Sequence, residues 1–431
     1  MVWLSRLMMW QKLSVLIVLG LVMFAVPMFL VLQAAQVRTE VAALELAGVK
    51  PVADVTELVQ NLQKHRGVSN VLLSGNAAAA VQREALMQAI KKNSAEIEKI
   101  VSAMPALKPN WEALIKQWEA LEKSVASRSI KATEAFASHT ELIAKVIFFT
   151  EEVADVYGLT LDPEANGYFL QNAIVIHAPN LVEGLAQQRG KGASYLAAGS
   201  LSDADRATLL SLTQRVALVR QSLSSQMAKA AQADPQLKAA LATSLAEADQ
   251  ASAKTIKLVQ EQLIDAPKLT LSADDFFAAA TVAVDAQFKL MDTGSGFLKQ
   301  VLEARIAAIE HERRIMLLTT GILVALVLVL AVVIVKSITR ALAGAIAVAD
   351  NVSRGELQMR IPVQGVDEIS QLMRAMANMQ AVLNQFQEDQ SKMAGLHNAG
   401  QISHTMPAES LPGAYGQMAQ GVNTMVQSHI D

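Results

Sequence analysis

Apolar positions follow three patterns along this chain. Two uncharged runs, 13–32 and 315–335, are each long enough to cross a bilayer, which takes about 20 apolar residues of helix. Between them apolar positions recur at spacings of three and four, as at Trp111, Leu114, Ile115, Trp118 and Leu121 and again over 237–263, the signature of one helix face. After the second run the spacing alternates four and three: Ile338, Leu342, Ala345, Ala349, Val352, then Ile369, Leu372, Met376, Met379, Leu383. These are two short heptad seams. Breaks are predicted at Gly75-Asn76, Met104-Pro105, Asp162-Pro163, Ala178-Pro179, Ala233-Asp234-Pro235 and Ala266-Pro267, and the pieces between them suit an antiparallel bundle with short loops. From about Ala273 nothing stops the helical pattern before the second run, so one helix is predicted from the bundle into the membrane. The predicted fold is all-α, with an outer helical bundle, two spans, and a parallel four-helix bundle that takes two chains. A single chain would leave half of each heptad seam exposed.

The order of segments follows. Residues 1–12 carry Arg6 and Lys12 and no acid, which favours a cytoplasmic N-terminus. The run 13–32 exceeds the roughly 7–15 apolar residues of a cleaved signal peptide, so it is predicted as an uncleaved span. Pro27 inside it is tolerable in a membrane helix. Residues 33–312 are then periplasmic, 315–335 is the second span, and both termini face the cytoplasm from the inner membrane. Thr319 and Thr320 are expected to bond back to their own helix carbonyls.

Composition narrows the function. The chain has no cysteine, which removes disulfides and thiolate chemistry. A net charge of −3 argues against nucleic acid as a partner. His65, His177 and His311 stand apart from one another, so no metal set is expected. No phosphate-binding glycine loop and no nucleophile with a base is present, so neither enzymatic activity nor a cofactor is expected. Asp162-Pro163 reads as a helix start, with Asp as N-cap and Pro in the first turn. Tyr168 and Phe169 read as core.

An internal repeat carries the candidate site. Leu58-Val59, Leu62 and Arg66-Gly67 recur as Leu181-Val182, Leu185 and Arg189-Gly190, and Leu73 matches Leu196 at the same offset of 123. Two related modules are implied, each with an arginine where a helix meets a glycine. A guanidinium presents a planar fork of donors suited to two-point contact with carboxylate or nitrate oxygens. Arg66 and Arg189 are therefore the candidate ligand contacts. The competing reading is an arginine paired with a neighbouring acid or a helix-end carbonyl.

Residues 337–385 resemble a HAMP domain, the relay module of bacterial transmembrane receptors. The matching residues are Ser337-Ile338-Thr339-Arg340 at the membrane edge, Gly355-Glu356-Leu357 in the connector, and Asp367-Glu368-Ile369 opening the second helix. The resemblance implies relay roles for Arg340, Gly355, Leu357, Asp367 and Glu368, and a homodimer. Ala341 stands where a proline is usual and Ser370 where a glycine often follows, so the helix should leave the membrane straighter. Residues 395–431, with Gly400-Gln401-Ile402 and Pro407-Ala408-Glu409, look like a partial second unit of the same kind. The stretch from Leu161 to Leu170 and the Arg-Gly repeats look like the sensory regions of methyl-accepting chemotaxis receptors, whose long signalling hairpin is not in this sequence. The stretch Gln63-Lys64-His65-Arg66-Gly67-Val68-Ser69 is similar to nitrate- and nitrite-sensing domains, with His65 where glutamate is common.

The expected function is a chemoreceptor-like membrane receptor for a small anion, a carboxylate or nitrate-like ion, that signals through HAMP to an unspecified downstream partner. The sequence is then either part of a longer chain or a protein that hands its signal to that partner. The sensor half of a histidine kinase, a cyclase or another HAMP protein would show the same features, and a membrane-anchored scaffold binding another protein is the alternative of a different class.

Overall fold

The computed structural model describes residues 6–430. Residues 1–5 of the predicted N-terminal segment and Asp431 of the predicted second HAMP-like unit lie outside the described residues. Every element in the described chain is helical. Two compact units are present, one over Val31–Arg314 and one formed by the segments on either side of it.

The central unit is built from α1 (Met9–Leu73), α2 (Ala79–Ala103), α3 (Lys108–Ala126), α4 (Ala132–Val156), the short α5 (Ala165–Gln171), α6 (Ala178–Ala198), α7 (Asp203–Ala233), α8 (Pro235–Val259) and α9 (Ala273–Ser353). Its core is continuous from Val49 on α1 to Leu302 on α9. The periodicity explains the packing. α2 buries Ile90, Asn93, Ile97 and Val101, and α3 buries Trp111, Leu114, Leu121 and Val125. Trp111 stacks on Phe149 at 5.5 Å, and its indole N–H donates to Glu98 at 2.7 Å, so the ring is buried with its polar edge satisfied. Two helix starts are set by side-chain caps: Ser202 accepts from the Asp205 N–H, and Asp234 accepts from those of Gln236 and Leu237.

Four local expectations are corrected. Ala178-Pro179 is no break: a π-helical stretch, Asn172–His177, carries α5 into α6, and Pro179 sits in the first turn of α6. Asp162 is not a helix N-cap; α5 follows Glu164, and Asp162 is a buried acid at the end of the 3-10 turn Leu159–Leu161. Gly67 lies inside α1 and Gly190 inside α6, so neither arginine marks a helix end. Tyr168 is exposed at 39 %, while Phe169 packs on the core. The turn between α3 and α4 has neither glycine nor proline, and Arg128 takes the left-handed conformation there at φ 53°.

Glycines inside helices mark close packing. A Cβ on Gly192 would overlap the Phe276 ring and meet Leu263 Cδ1 at 3.0 Å, whereas one on Gly67 meets nothing within 4 Å. Gly192→Ala should therefore cost about 1–3 kcal/mol through overpacking. Gly67→Ala should be neutral or stabilise by up to ~1 kcal/mol through helix propensity. Thermal melts of the two variants check the opposite signs; equal shifts would refute the packing account.

In the flanking unit, α1 and α9 are long and apolar enough to cross a membrane, and their apolar windows are unburied within the protein. Thr319 bonds back to the Ile315 carbonyl at 2.9 Å as expected. Thr320 instead faces Met28 Sδ at 3.8 Å. The helix passes Ala341 without a break. Beyond it lie α10 (Glu368–Asn398) and α11 (Ala414–Ile430). Ala345 and Val348 of α9 pack on Met373 and Met376 of α10, with Val352, Met359 and Ile361 at the margin.

Candidate anion site

The two arginines of the repeat are both brought into the core of the central unit, within electrostatic reach of one another. Each is held by the same device. Arg66 of α1 lies over the Phe136 ring at 4.8 Å and donates to Thr140 Oγ1 at 2.8 Å, both on α4. Arg189 of α6 lies over the Phe277 ring at 4.9 Å and donates to Thr281 Oγ1 at 3.1 Å, both on α9. Each threonine hydroxyl donates to the carbonyl of its own phenylalanine, one turn earlier, which leaves an oxygen lone pair for the guanidinium. The repeat is thus a pair of four-helix modules, α1–α4 and α6–α9, with arginine on the first helix of each and Phe-x-x-x-Thr on the last.

The modules differ in charge. Arg66 is paired with Glu183 of α6, with contacts of 2.5 Å to Oε1 and 3.2 Å to Oε2. Gln63 Nε2 and Gln187 Nε2 also donate to that carboxylate, at 2.9 and 2.8 Å. Arg189 is 8 % exposed and has no ion pair among the described residues. Burial, then the charge of Arg66, lowers the Arg189 pKa, while Asp285 and Glu183 oppose this. An arginine gives up its proton only far above neutral pH, so the buried positive charge stays and asks for an anion.

Beside Arg66, His65 meets His139 at 2.9 Å and Ser69 lies 3.2 Å from the same His65 nitrogen. Burial holds both imidazoles below their ordinary value, His65 at about 3 and His139 at about 4, so the pair stays neutral and adds no charge to the site. His65, isolated in the sequence, is a polar core residue. No group of three or more His, Asp or Glu side chains suited to a metal occurs among the described residues. Sequence reasoning missed Glu183, Gln63, Gln187, Thr140 and Thr281. The repeated Phe-x-x-x-Thr was there to be found, but at an offset of 141 where the arginines repeat at 123.

A second polar cluster lies elsewhere in this unit. Arg305 of α9 contacts Glu45 of α1 at 3.1 Å, Asp162 at 3.0 Å and Glu164 at 3.0 Å. Gly167 admits no side chain because its Cβ would overlap the Asp162 carboxylate. Burial first, and the charge of Asp162 second, push the Glu45 carboxyl up to about 7, against the pull of Arg305; Glu164 raises it a little further. A folded-state pKa above the unfolded one gives stability that is complete below about 4.5 and lost as pH rises through about 7. Between pH 5.5 and 8 the chain should lose about 1–2 kcal/mol from this group, a figure discounted for solvent screening. Glu45→Gln should flatten that part of the melting profile; parallel profiles for the two proteins would exclude Glu45 as the source.

The HAMP-like residues also have definite places. Gly355 closes α9 at φ 81°, with Glu356 N–H bonded to the Asn351 carbonyl at 2.9 Å. The Leu357 carbonyl accepts from Gln380 and Asn384, each at 2.7 Å, which pins the connector to α10. Asp367 caps α10 by accepting from the Ser370 N–H at 2.8 Å, and bonds from Ser370 hold its carboxyl below the usual range. Ser370, where glycine is common, bonds through its hydroxyl to the Gln364 carbonyl at 2.6 Å. Arg340 and Glu368 are exposed. Gly400 closes α10 as Gly355 closes α9, at φ 86°, with Gln401 N–H bonded to the Leu396 carbonyl at 2.9 Å. Asn423 of α11 holds both the N–H and the carbonyl of Met406, at 2.8 and 2.9 Å.

The described chain combines two membrane-length helices, a helical bundle with a guanidinium-centred core and a connector pinned to α10, and together with two family matches these mark a transmembrane sensor. The nitrate and nitrite sensing family matches residues 57–295, more than half of the chain, and the HAMP domain family matches residues 333–385. The chain belongs to the nitrate and nitrite sensing family. It is also similar to a solved structure described as that of the NasR transcription antiterminator, at 17 % identity and a TM-score of 0.52 over 94 % of this chain and 95 % of that one, a likeness of fold alone. No curated protein matches it.

Proposed function

We propose that this transmembrane sensor binds nitrate or nitrite in the core of residues 33–312, on the periplasmic side of the inner membrane, through Arg189 and Arg66. The observation that carries this is the buried Arg189 guanidinium, without an ion pair among the described residues and within electrostatic reach of a second arginine. Planar oxyanions fit such forks with paired charge-assisted hydrogen bonds. Binding would draw α1 and α6 toward α9, and α9 continues as one helix to Ser353. A small shift can be read out only by an element with two arrangements close in energy; the HAMP segment of a homodimer supplies it. Leu372 and Met379, 47 % and 38 % exposed on α10, support a second copy on that seam. Residues 395–431 form a second, partial relay unit of the same kind. The output is chemoreceptor-like signalling to a downstream partner, without catalysis by this chain.

Nitrate and nitrite should raise the melting temperature of the detergent-purified chain in proportion to the logarithm of concentration, as ligand linkage requires. Chloride at equal ionic strength should not. Equal shifts for nitrate and chloride would remove the reading.

A further inference from the structure

We propose that Glu183 is a built-in stand-in for the ligand: its carboxylate occupies an oxyanion cradle, and a free inorganic oxyanion competes with it for that place. The inference rests on the anion-sensing reading above. Glu183 accepts four hydrogen bonds, two from Arg66 and one each from Gln63 and Gln187, and its side chain is 7 % exposed. A carboxylate and a nitrate are both planar and both offer two coplanar oxygens, so donors arranged for one suit the other.

The repeat shows that this carboxylate is particular to one module. The position equivalent to Glu183 in the first module is Gln60, a neutral, half-buried side chain. Two buried guanidinium groups and one buried carboxylate leave the buried centre one negative charge short; Asp285, whose charge also acts on Arg189, is exposed to solvent. One monovalent anion completes the balance. When it binds within reach of both arginines, Arg66 can exchange Glu183 for the incoming ion, and because Glu183 belongs to α6 the exchange removes the ion pair between α1 and α6 and leaves the Gln63 amide as the remaining link. Glu183 thereby sets both the affinity and the preference for a singly charged ligand.

The test uses the full chain in lipid nanodiscs, with Glu183→Ala and the milder Glu183→Gln. Without added anion, Glu183→Ala should melt lower than the wild type. Formate or nitrate at millimolar concentration should restore it, because a free oxyanion fills the vacated cradle. By titration, both variants should bind nitrate at least tenfold more tightly than the wild type, or take up a second equivalent. If neither formate nor nitrate restores Glu183→Ala, and Glu183→Gln binds nitrate no more tightly than a responsive wild type, Glu183 is a structural counterion and the proposal falls. If the wild type ignores nitrate while formate rescues Glu183→Ala, the stand-in role holds and nitrate sensing falls. If nitrate binds nowhere and formate rescues nothing, both fall.

Discussion

Arg189→Ala is expected to abolish the thermal response to nitrate while leaving the bundle folded. In the wild type the guanidinium contributes one hydrogen bond, to Thr281, and a face against Phe277. Its other donors and its charge are the ones an anion would use. A paired charge-assisted contact inside a protein is worth about 2–4 kcal/mol, so affinity should fall by roughly 30- to 1000-fold. The cost to stability should be small, within ~1 kcal/mol, because the substitution also removes a buried charge that repels Arg66. A variant that folds and still answers nitrate would place the site elsewhere.

Arg66→Ala should behave in the opposite way, as a stability defect. It strips Glu183 of both guanidinium contacts and leaves a buried carboxylate held only by two amides. Breaking one side of a buried ion pair costs about 3–5 kcal/mol. At about 2–4 °C per kcal/mol for a unit of this size, the melting temperature should drop by roughly 10 °C. Arg66→Ala combined with Glu183→Ala should recover part of that loss, since the orphaned charge goes with its partner. A single-variant drop below about 2 °C, or a double variant that melts lower still by the full sum, would contradict the pairing.

The contrast between these arginines was only half legible in the sequence. Their equivalence was there, in the Leu-Val, Leu and Arg-Gly matches, and so was their burial, because the same repeat puts Leu58, Leu62, Leu181 and Leu185 in the core. Their difference was not, because it depends on Glu183, which reaches Arg66 from a helix 117 positions away. The spans and the long helix from Ala273 were legible from uncharged length and the lack of a proline. The α3–α4 turn was not, since Arg128 supplies a left-handed residue where glycine would have announced it. Nor was the π-helical stretch before Pro179, through which the chain stays helical past a proline that reads as a stop. Asp162 misled for a related reason: Asp-Pro is a strong local signal for a helix start, and here the carboxylate is taken by Arg305 instead.

Isothermal titration of nitrate into the full chain in nanodiscs, with Arg189→Ala as the parallel sample, bears on the central claim most directly. A saturable uptake of one nitrate per chain, missing from Arg189→Ala, is the expected result. Heat that never saturates in the wild type, or an identical isotherm from the variant, would mean that the buried arginine does not hold the signal ion.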